Sequence, residues 1–399
     1  MKAKTAVGSQ WASLGQRRGW FPMQNGNGGA SSLFGSKAAI EVERALTEVR
    51  AGRPMRMVSR TTTETVLSVD GLDDARLREF AALCTPSPLK LVISATRAQA
   101  LGVDTDGSAT ITLSSTINAS QIHTLVAEQG ARLTLPVVVS SEPSAIVALM
   151  KLAQKLPAAL VAPASSKHDT LPALNADEVA TYKYELVESL AIAGEARVPL
   201  ANAQLTRFVV FRDAAGNNPV AVVIGNPDTT TAVPVRIHSS CLTGDVFGSR
   251  RCDCGDQLQL AISRIEATGG GVVLYMPQEG RGLGLVNKMH AYELQDDGLD
   301  TVDANTMLGF EDDERDYGGA ARMLEILGIS HVDLMTNNPT KLRGLADAGI
   351  TVGCRMPIEA PVNSDNRRYL TAKAKRAGHQ LDYLVNALHA TQRAPERVR

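Results

Sequence analysis

The chain is poor in cysteine, in aromatic residues and in net charge, and each shortage closes off a class of protein. Five cysteines in 399 residues are too few, and odd in number, for a secreted disulfide scaffold. They suit a reducing compartment such as the cytoplasm, where thiols stay free to bind metal. A formal net charge of -1 gives no overall field for nucleic acid or an anionic membrane, so an anionic ligand has to be met by local cations. Aromatics make up only 4%, with no basic stripe interleaved among them, which argues against nucleic-acid binding. No stretch approaches the roughly 18 uninterrupted apolar residues that a membrane helix needs.

What is present is enough for two cores. At 44% hydrophobic, a chain of this length exceeds the roughly 250 to 300 residues at which single cores stop growing. Residues 1–36 carry Lys2, Lys4, Arg17 and Arg18 with no acid before Glu41, and "QNGNGGASS" has little to bury. They read as a disordered extension, because no apolar run of secretory-signal length follows the charges. Residues 37–178 alternate helix and strand. Val42, Leu46 and Val49 share one helical face, as do Leu77, Phe80, Ala81 and Cys84, and between and after these helices run "PMRMVS", "LKLVISA", "LTLPVVVSS" and "AALVAPA". The polar stretch 165–178 marks a boundary. Residues 179–385 alternate more clearly, with "AVPVRIHSS", "GVVLYM" and "HVDLMT" as strands and Leu258, Ala261, Ile262 and Ile265 on one helical face. Residues 386–399 read as a flexible tail. The fold class is α/β, with two α/β domains and a mixed, helix-covered sheet in the second. Cys84 and Cys354 read as buried small hydrophobes.

Three cysteines crowd into "CLTGDVFGSRRCDCGDQ". Cys241, Cys252 and Cys254 follow the pattern C-x10-C-x-C, and soft thiolates at this spacing select zinc over hard cations. Three thiolates and a water make a catalytic zinc, whereas His238 or a distant residue as fourth ligand makes a closed structural one. Spacing leaves both open. Arg236, Arg250, Arg251 and Lys288 stand near enough in sequence to neutralise phosphates. Metal beside a phosphate site points to nucleotide hydrolysis. Tyr292 falls on a Leu285, Met289, Tyr292 stripe that reads equally well as core.

The run from "VRIHSSCLTGDVFGSRRCDCGDQL" through "QEGRGLGLVNKMHAYELQDDGLDTVDAN", "LGFEDDERDYG" and "TNNPTKL" resembles GTP cyclohydrolase II of riboflavin biosynthesis, over roughly residues 199–384. The resemblance implies opening of the GTP imidazole ring with release of formate and pyrophosphate, and brings zinc and magnesium with it. It puts the zinc ligands at Cys241, Cys252 and Cys254. It makes Asp313 a proton acceptor, places Tyr292 near the opening ring, and makes Arg315 either a nucleophile towards the α-phosphate or an electrostatic clamp. GTP contacts then fall on Arg236, Ile237, His238, Ser239 and Ser240, on Gln257, on Glu279, Gly280 and Arg281, and on Thr301, Thr336 and Lys341. Ser240, Pro277 and His290 depart from the family's commonest residues. Two rivals remain: a GTP-binding zinc module without turnover, and a related enzyme that stops at the formamide intermediate or serves another pyrimidine pathway. Neither a nucleic-acid nor a membrane partner is expected, and a homodimer is.

The first domain carries remote traces of dihydroxybutanone-phosphate synthase in "VERALTEVRAGRPMRMVS" and "SPLKLVISATRAQALGVD". That activity needs a carboxylate cluster for magnesium, yet "RTTTETVLSVDG" offers only Glu64 and Asp70. The family's Gly-His-Thr-Glu is replaced by "SEPS", residues 141–144. The domain is expected to be non-catalytic and to serve packing or dimerisation. Incubation with ribulose 5-phosphate should give no four-carbon product by mass spectrometry, and its appearance would refute this reading.

Overall fold

The structure, a computed structural model, describes residues 36–140 and 144–367, with Leu370, Thr371, Ala374 and Arg376 beyond them. The expected N-terminal extension up to residue 35, residues 141–143 of "SEPS" and the expected tail 386–399 lie outside the described residues. Two seven-stranded sheets organise the rest. The first contains β1 (Met55–Val58), β2 (Thr63–Ser68), β3 (Lys90–Ile93), β4 (Ala109–Thr112), β5 (Val137–Val139), β6 (Ala158–Pro163) and β7 (Ala173–Asn175), in the order β5-β4-β3-β6-β2-β1-β7. Only β1 and β7 run parallel. Successive side chains in a strand point to opposite faces, and this sheet is buried on both: Leu91, Ile93 and Leu160 enter one core, Val92 and Val161 the other. Helix Lys37–Arg50 covers the second core with Val42, Leu46 and Val49, and starts where Ser36 Oγ accepts from the Ala39 N–H at 3.3 Å.

The second sheet contains β8 (Ala191–Arg197), β9 (Thr206–Arg212), β10 (Val220–Gly225), β11 (Val233–Ser239), β12 (Gly270–Met276), β13 (His331–Met335) and β14 (Thr351–Met356), in the order β14-β13-β11-β12-β10-β9-β8. It is mixed, as expected: β12, β11, β13 and β14 are parallel, whereas β12, β10, β9 and β8 are antiparallel. The central strand β12 is a nearly continuous apolar run, and β11 is buried along most of its length although it carries Arg236 and His238, because helices cover both faces of the sheet. Parallel strands end at the same edge, so the loops after β11, β12 and β13 gather in one place.

Two sequence readings need correction, and one left open is decided. Cys354 is exposed, because β14 is an edge strand, while Cys84 is buried and its thiol is pushed up to about 11 by that burial. The Leu285, Met289, Tyr292 stripe is not core: helix Leu285–Asp296 buries Asn287, Lys288 and Ala291 and exposes Leu285 and Met289. Its inward face meets polar partners, the cysteine loop and the first domain. Helix Ala176–Glu188 also runs through the boundary drawn at residue 178, with Val179 and Tyr182 packed in the first domain's core.

The two halves share one core. Leu283, Ala291, Ala304, Leu308 and Phe310 of the second pack with Leu91, Ile111 and Ile122 of the first. Arg97 crosses this seam almost completely buried. Its guanidinium donates to the carbonyls of Thr124, Leu125 and Glu128 at 2.8–2.9 Å and to that of Met307 at 2.9 Å. Burial pulls its pKa down to about 10, which leaves it charged at neutral pH. Arg97→Ala should therefore cost about 3 kcal/mol by leaving buried carbonyls without donors. Arg97→Lys should recover less than half, and a loss below about 1 kcal/mol in chemical denaturation would contradict this.

Candidate active site

The cleft begins with sulfur. Cys241 follows the end of β11, a short turn over 242–246 doubles the chain back, and Cys252 and Cys254 arrive at the head of helix Cys254–Ala267. The three sulfurs lie within 4.8 Å of one another, with Cys241 and Cys252 at 3.7 Å. Gly244 makes this crowding feasible: a Cβ there would stand 2.9 Å from Cys252 Sγ and 3.1 Å from Cys241 Sγ. Contacts from Cys252 and Cys254, helped by Thr243 and Lys288, hold the Cys241 thiol far below its ordinary value. The same contacts push Cys252 and Cys254 up. Three thiolates this close repel one another unless a cation sits among them, and an all-sulfur set selects zinc. The residues fit the ion.

His238 does not join them. Its Nε2 is paired with both Asp245 carboxylate oxygens at 3.1 Å, its ring stacks on Tyr275, and burial lowers its pKa, which favours the neutral ring. Among the described residues no fourth His, Cys, Asp or Glu completes the group. Asp245 is a hub that sequence reasoning missed. It also accepts from Tyr275 OH and the Cys241 N–H, both at 2.9 Å, and so fixes the first sulfur against the sheet. The signal was available: it is the only acid between Cys241 and Cys252.

Lys288 is also placed differently. Its Nζ donates to Cys241 Sγ at 3.1 Å and to Thr243 Oγ1 and Glu279 Oε1, each at 2.9 Å. Burial lowers its pKa, but Tyr292, Glu279 and Cys241 outweigh that and hold it above the ordinary lysine value. Its charge is committed to the sulfurs. Glu279 Oε1 accepts from Lys288 and from the Gly280 N–H, and Oε2 from the Leu242 N–H at 2.7 Å. A carboxylate has about four lone-pair sites, so roughly one is left for a ligand rather than two.

The opposite wall is cationic. Arg236 is buried, with its pKa pulled down to about 10 by that burial, and it donates to Met335 O and Gln257 Oε1. Lys341 donates to Ile237 O at 2.8 Å from the first turn of helix Pro339–Asp347, beside Thr336, Asn337 and Asn338. Arg315 grips Asp313 through two parallel bonds of 2.5–2.6 Å. Burial raises the Asp313 carboxyl, but the Arg315 pair overrides this and holds it below the usual range. Arg281 pairs with Asp312 in the same loop.

Most residues singled out from sequence line this one cleft: Arg236, His238, Ser239, Ser240, Gln257 and Lys341, then Glu279, Gly280, Arg281, Tyr292, Arg315 and Thr336, with the three cysteines. Ile237 turns its side chain into the core and offers only its carbonyl. Asp313 stands behind Arg315, and Thr301 is buried at the head of helix Thr301–Met307, off the cleft lining. Arg250 pairs with Asp365 at the surface, and Arg251 lies over the Tyr292 ring at 4.4 Å while binding Asp296. Asn337 and Asn338 also line the cleft and were not singled out from sequence.

The fold and the cleft define a class: an α/β enzyme with a soft metal-ligand set and a cationic wall at one sheet edge. Residues 191–357 match the family model of GTP cyclohydrolase II. Over 376 residues the chain is 39% identical to GTP cyclohydrolase-2 of Xylella fastidiosa, covering 91% of this chain and 92% of that relative. It is 40% identical over 360 residues to GTP cyclohydrolase-2 of Azospirillum brasilense, covering 85% and 93%. A shorter match, 53% over 163 residues, links it to the riboflavin biosynthesis protein RibBA of Bacillus mycoides, 41% of each chain. The chain belongs to the GTP cyclohydrolase II family.

Metal analysis of purified protein should give about one zinc per chain. Cys252→Ser should abolish it, and Gly244→Ala should lower it without changing the circular dichroism spectrum. Full zinc in Gly244→Ala would remove the steric argument.

Proposed function

We propose that the cleft opens the imidazole ring of GTP, releasing formate and pyrophosphate to give 2,5-diamino-6-(5-phosphoribosylamino)pyrimidin-4-one, the first step of riboflavin biosynthesis. The observation that carries this reading is the meeting of the cysteine trio with the Asp313–Arg315 pair at one cleft, in a chain similar to GTP cyclohydrolase-2 over nearly its whole length. Zinc held by Cys241, Cys252 and Cys254 supplies Lewis acidity that makes water a competent nucleophile near neutral pH.

The chain's own residues do the rest. Arg236 and Lys341, buried and pre-oriented, meet the phosphates beside the head of helix Pro339–Asp347, whose N–H groups favour anions. Thr336 adds a hydroxyl donor there. The remaining lone pair of Glu279 accepts a guanine N–H, a donor adenine does not present in the same place. Tyr292 lies under Arg251 near the sulfurs and supplies a phenol for proton transfer. Arg315, gripped by a carboxylate through two donors, stays a guanidinium; we assign it electrostatic stabilisation of the departing pyrophosphate rather than attack on phosphorus. Asp313 holds that fork, and the proton-accepting role that the resemblance implies for it would require the fork to open. Ser239, Ser240, Gln257, Gly280 and Arg281 shape the pocket, and His238 lines it as a neutral ring. Ile237 contributes through its carbonyl, and Thr301 from the head of its helix.

Magnesium enters with the triphosphate as its counter-ion, since among the described residues no carboxylate group forms a separate cage. We further assign residues 37–178 a non-catalytic role. Asp70 is occupied by the Leu156 N–H and Lys155, and burial raises the Glu64 carboxyl despite Lys90. Free thiols, among them exposed Cys354, suit the cytoplasm, and no described helix is long and apolar enough to cross a membrane. A homodimer is supported by edge strand β8, which is exposed from Ile192 to Arg197.

Incubation with GTP, zinc and magnesium should release formate and pyrophosphate in equal amounts and yield the deformylated product by mass. GTP binding without formate would favour the non-catalytic module, and a formamide mass would favour the truncated reaction. Arg315→Lys should retain binding but lose about a hundredfold in kcat, because an ammonium lacks the fork.

A further inference from the structure

The segment 311–317, which carries Asp313 and Arg315, has no helical or strand ladder of its own. Five of its residues are acidic, and each acid has a distinct partner. Asp312 is paired with Arg281 and Asp313 with Arg315, and Asp316 accepts from the Gly318 N–H at 2.7 Å. The other two are held from the first domain. Thr96 Oγ1 donates to Glu311 Oε1 at 2.6 Å, and Lys151 Nζ donates to Glu314 Oε1 at 2.5 Å, with both side chains of the latter pair mostly buried. Just before the segment, Ser94 Oγ donates to Gly309 O at 2.7 Å; Gly309 has φ +85°, and a Cβ there would meet Ser94 Oγ at 2.8 Å.

We propose that the first domain is a clamp on this loop, with Lys151 and Thr96 as positioning residues that keep Arg315 paired to Asp313 and facing the cleft. The proposal rests on the reading that this pair acts on GTP. Two physical points support it. Glu314 adjoins Arg315, so a carboxylate freed from Lys151 competes with Asp313 for the guanidinium. The loop also has somewhere to go: a second cavity lies behind it, between the halves, lined by Lys151, Gln154, Gln278, Phe310, Glu314 and Arg315. Arg315 borders both spaces. Ordering a mobile segment costs conformational entropy, and the clamp meets that cost before substrate arrives.

The test compares the full-length parent, Lys151→Met and Lys151→Arg in steady-state turnover of GTP, thermal melting and hydrogen exchange of the 309–317 segment. The clamp predicts that Lys151→Met lowers kcat about tenfold or more with KM within about twofold, a small change in melting temperature, and faster exchange confined to that segment. Lys151→Arg should restore most of kcat. Unchanged kcat or unchanged exchange overturns the proposal, as does a loss that follows global melting and is not rescued by arginine. A parent that releases no formate defeats the GTP reading instead, and the exchange comparison then decides the clamp alone.

Discussion

Three sulfurs packed within reach of a single ion are the constraint on which the rest of the site depends. The 4.8 Å grouping forces a glycine at 244, because any Cβ would enter the space between sulfurs. It forces a fixed first ligand, which Asp245 provides by gripping the Cys241 N–H, Tyr275 and His238 together. It also draws in a compensating cation, Lys288, which Glu279 holds in place. The polar buried face of helix Leu285–Asp296 follows from that demand: an amphipathic helix would have put Leu285 and Met289 inward, and instead Asn287 and Lys288 are buried.

In this chain the arrangement draws contacts from both domains. The parallel strand ends of the second domain supply the sulfurs, Arg236 and the helix carrying Lys341, all on rigid elements. Asp313 and Arg315, by contrast, sit on irregular backbone, where position has to be imposed from outside. The first domain supplies Ser94, Thr96, Arg97 and Lys151 along that seam, and Arg97 joins four backbone carbonyls across both halves. The proposed clamp would give a task at the site to a domain whose Asp70 is already paired and whose Glu64 is half-buried.

Much of this was legible before any coordinates. Apolar spacing placed Val42, Leu46 and Val49 inward, and the β11 and β12 runs read as strands because both of their faces are buried. The cysteine pattern was local enough in sequence to be seen. What escaped was whatever depends on partners distant along the chain. Lys288 read as a phosphate ligand because nothing in its neighbourhood announces a thiolate 47 residues away. Nothing in sequence links Glu314 to its partner Lys151, 163 residues distant. Cys354 misled for the opposite reason: a strand pattern does not reveal which strand is an edge.

The central claim is a zinc held by three cysteines and one non-protein ligand, and zinc K-edge absorption spectroscopy of the purified full-length protein tests it most directly. The account predicts three sulfur scatterers at about 2.3 Å and one oxygen-type scatterer at about 2.0 Å. A fourth sulfur, or the multiple-scattering signature of a coordinated imidazole, would contradict it.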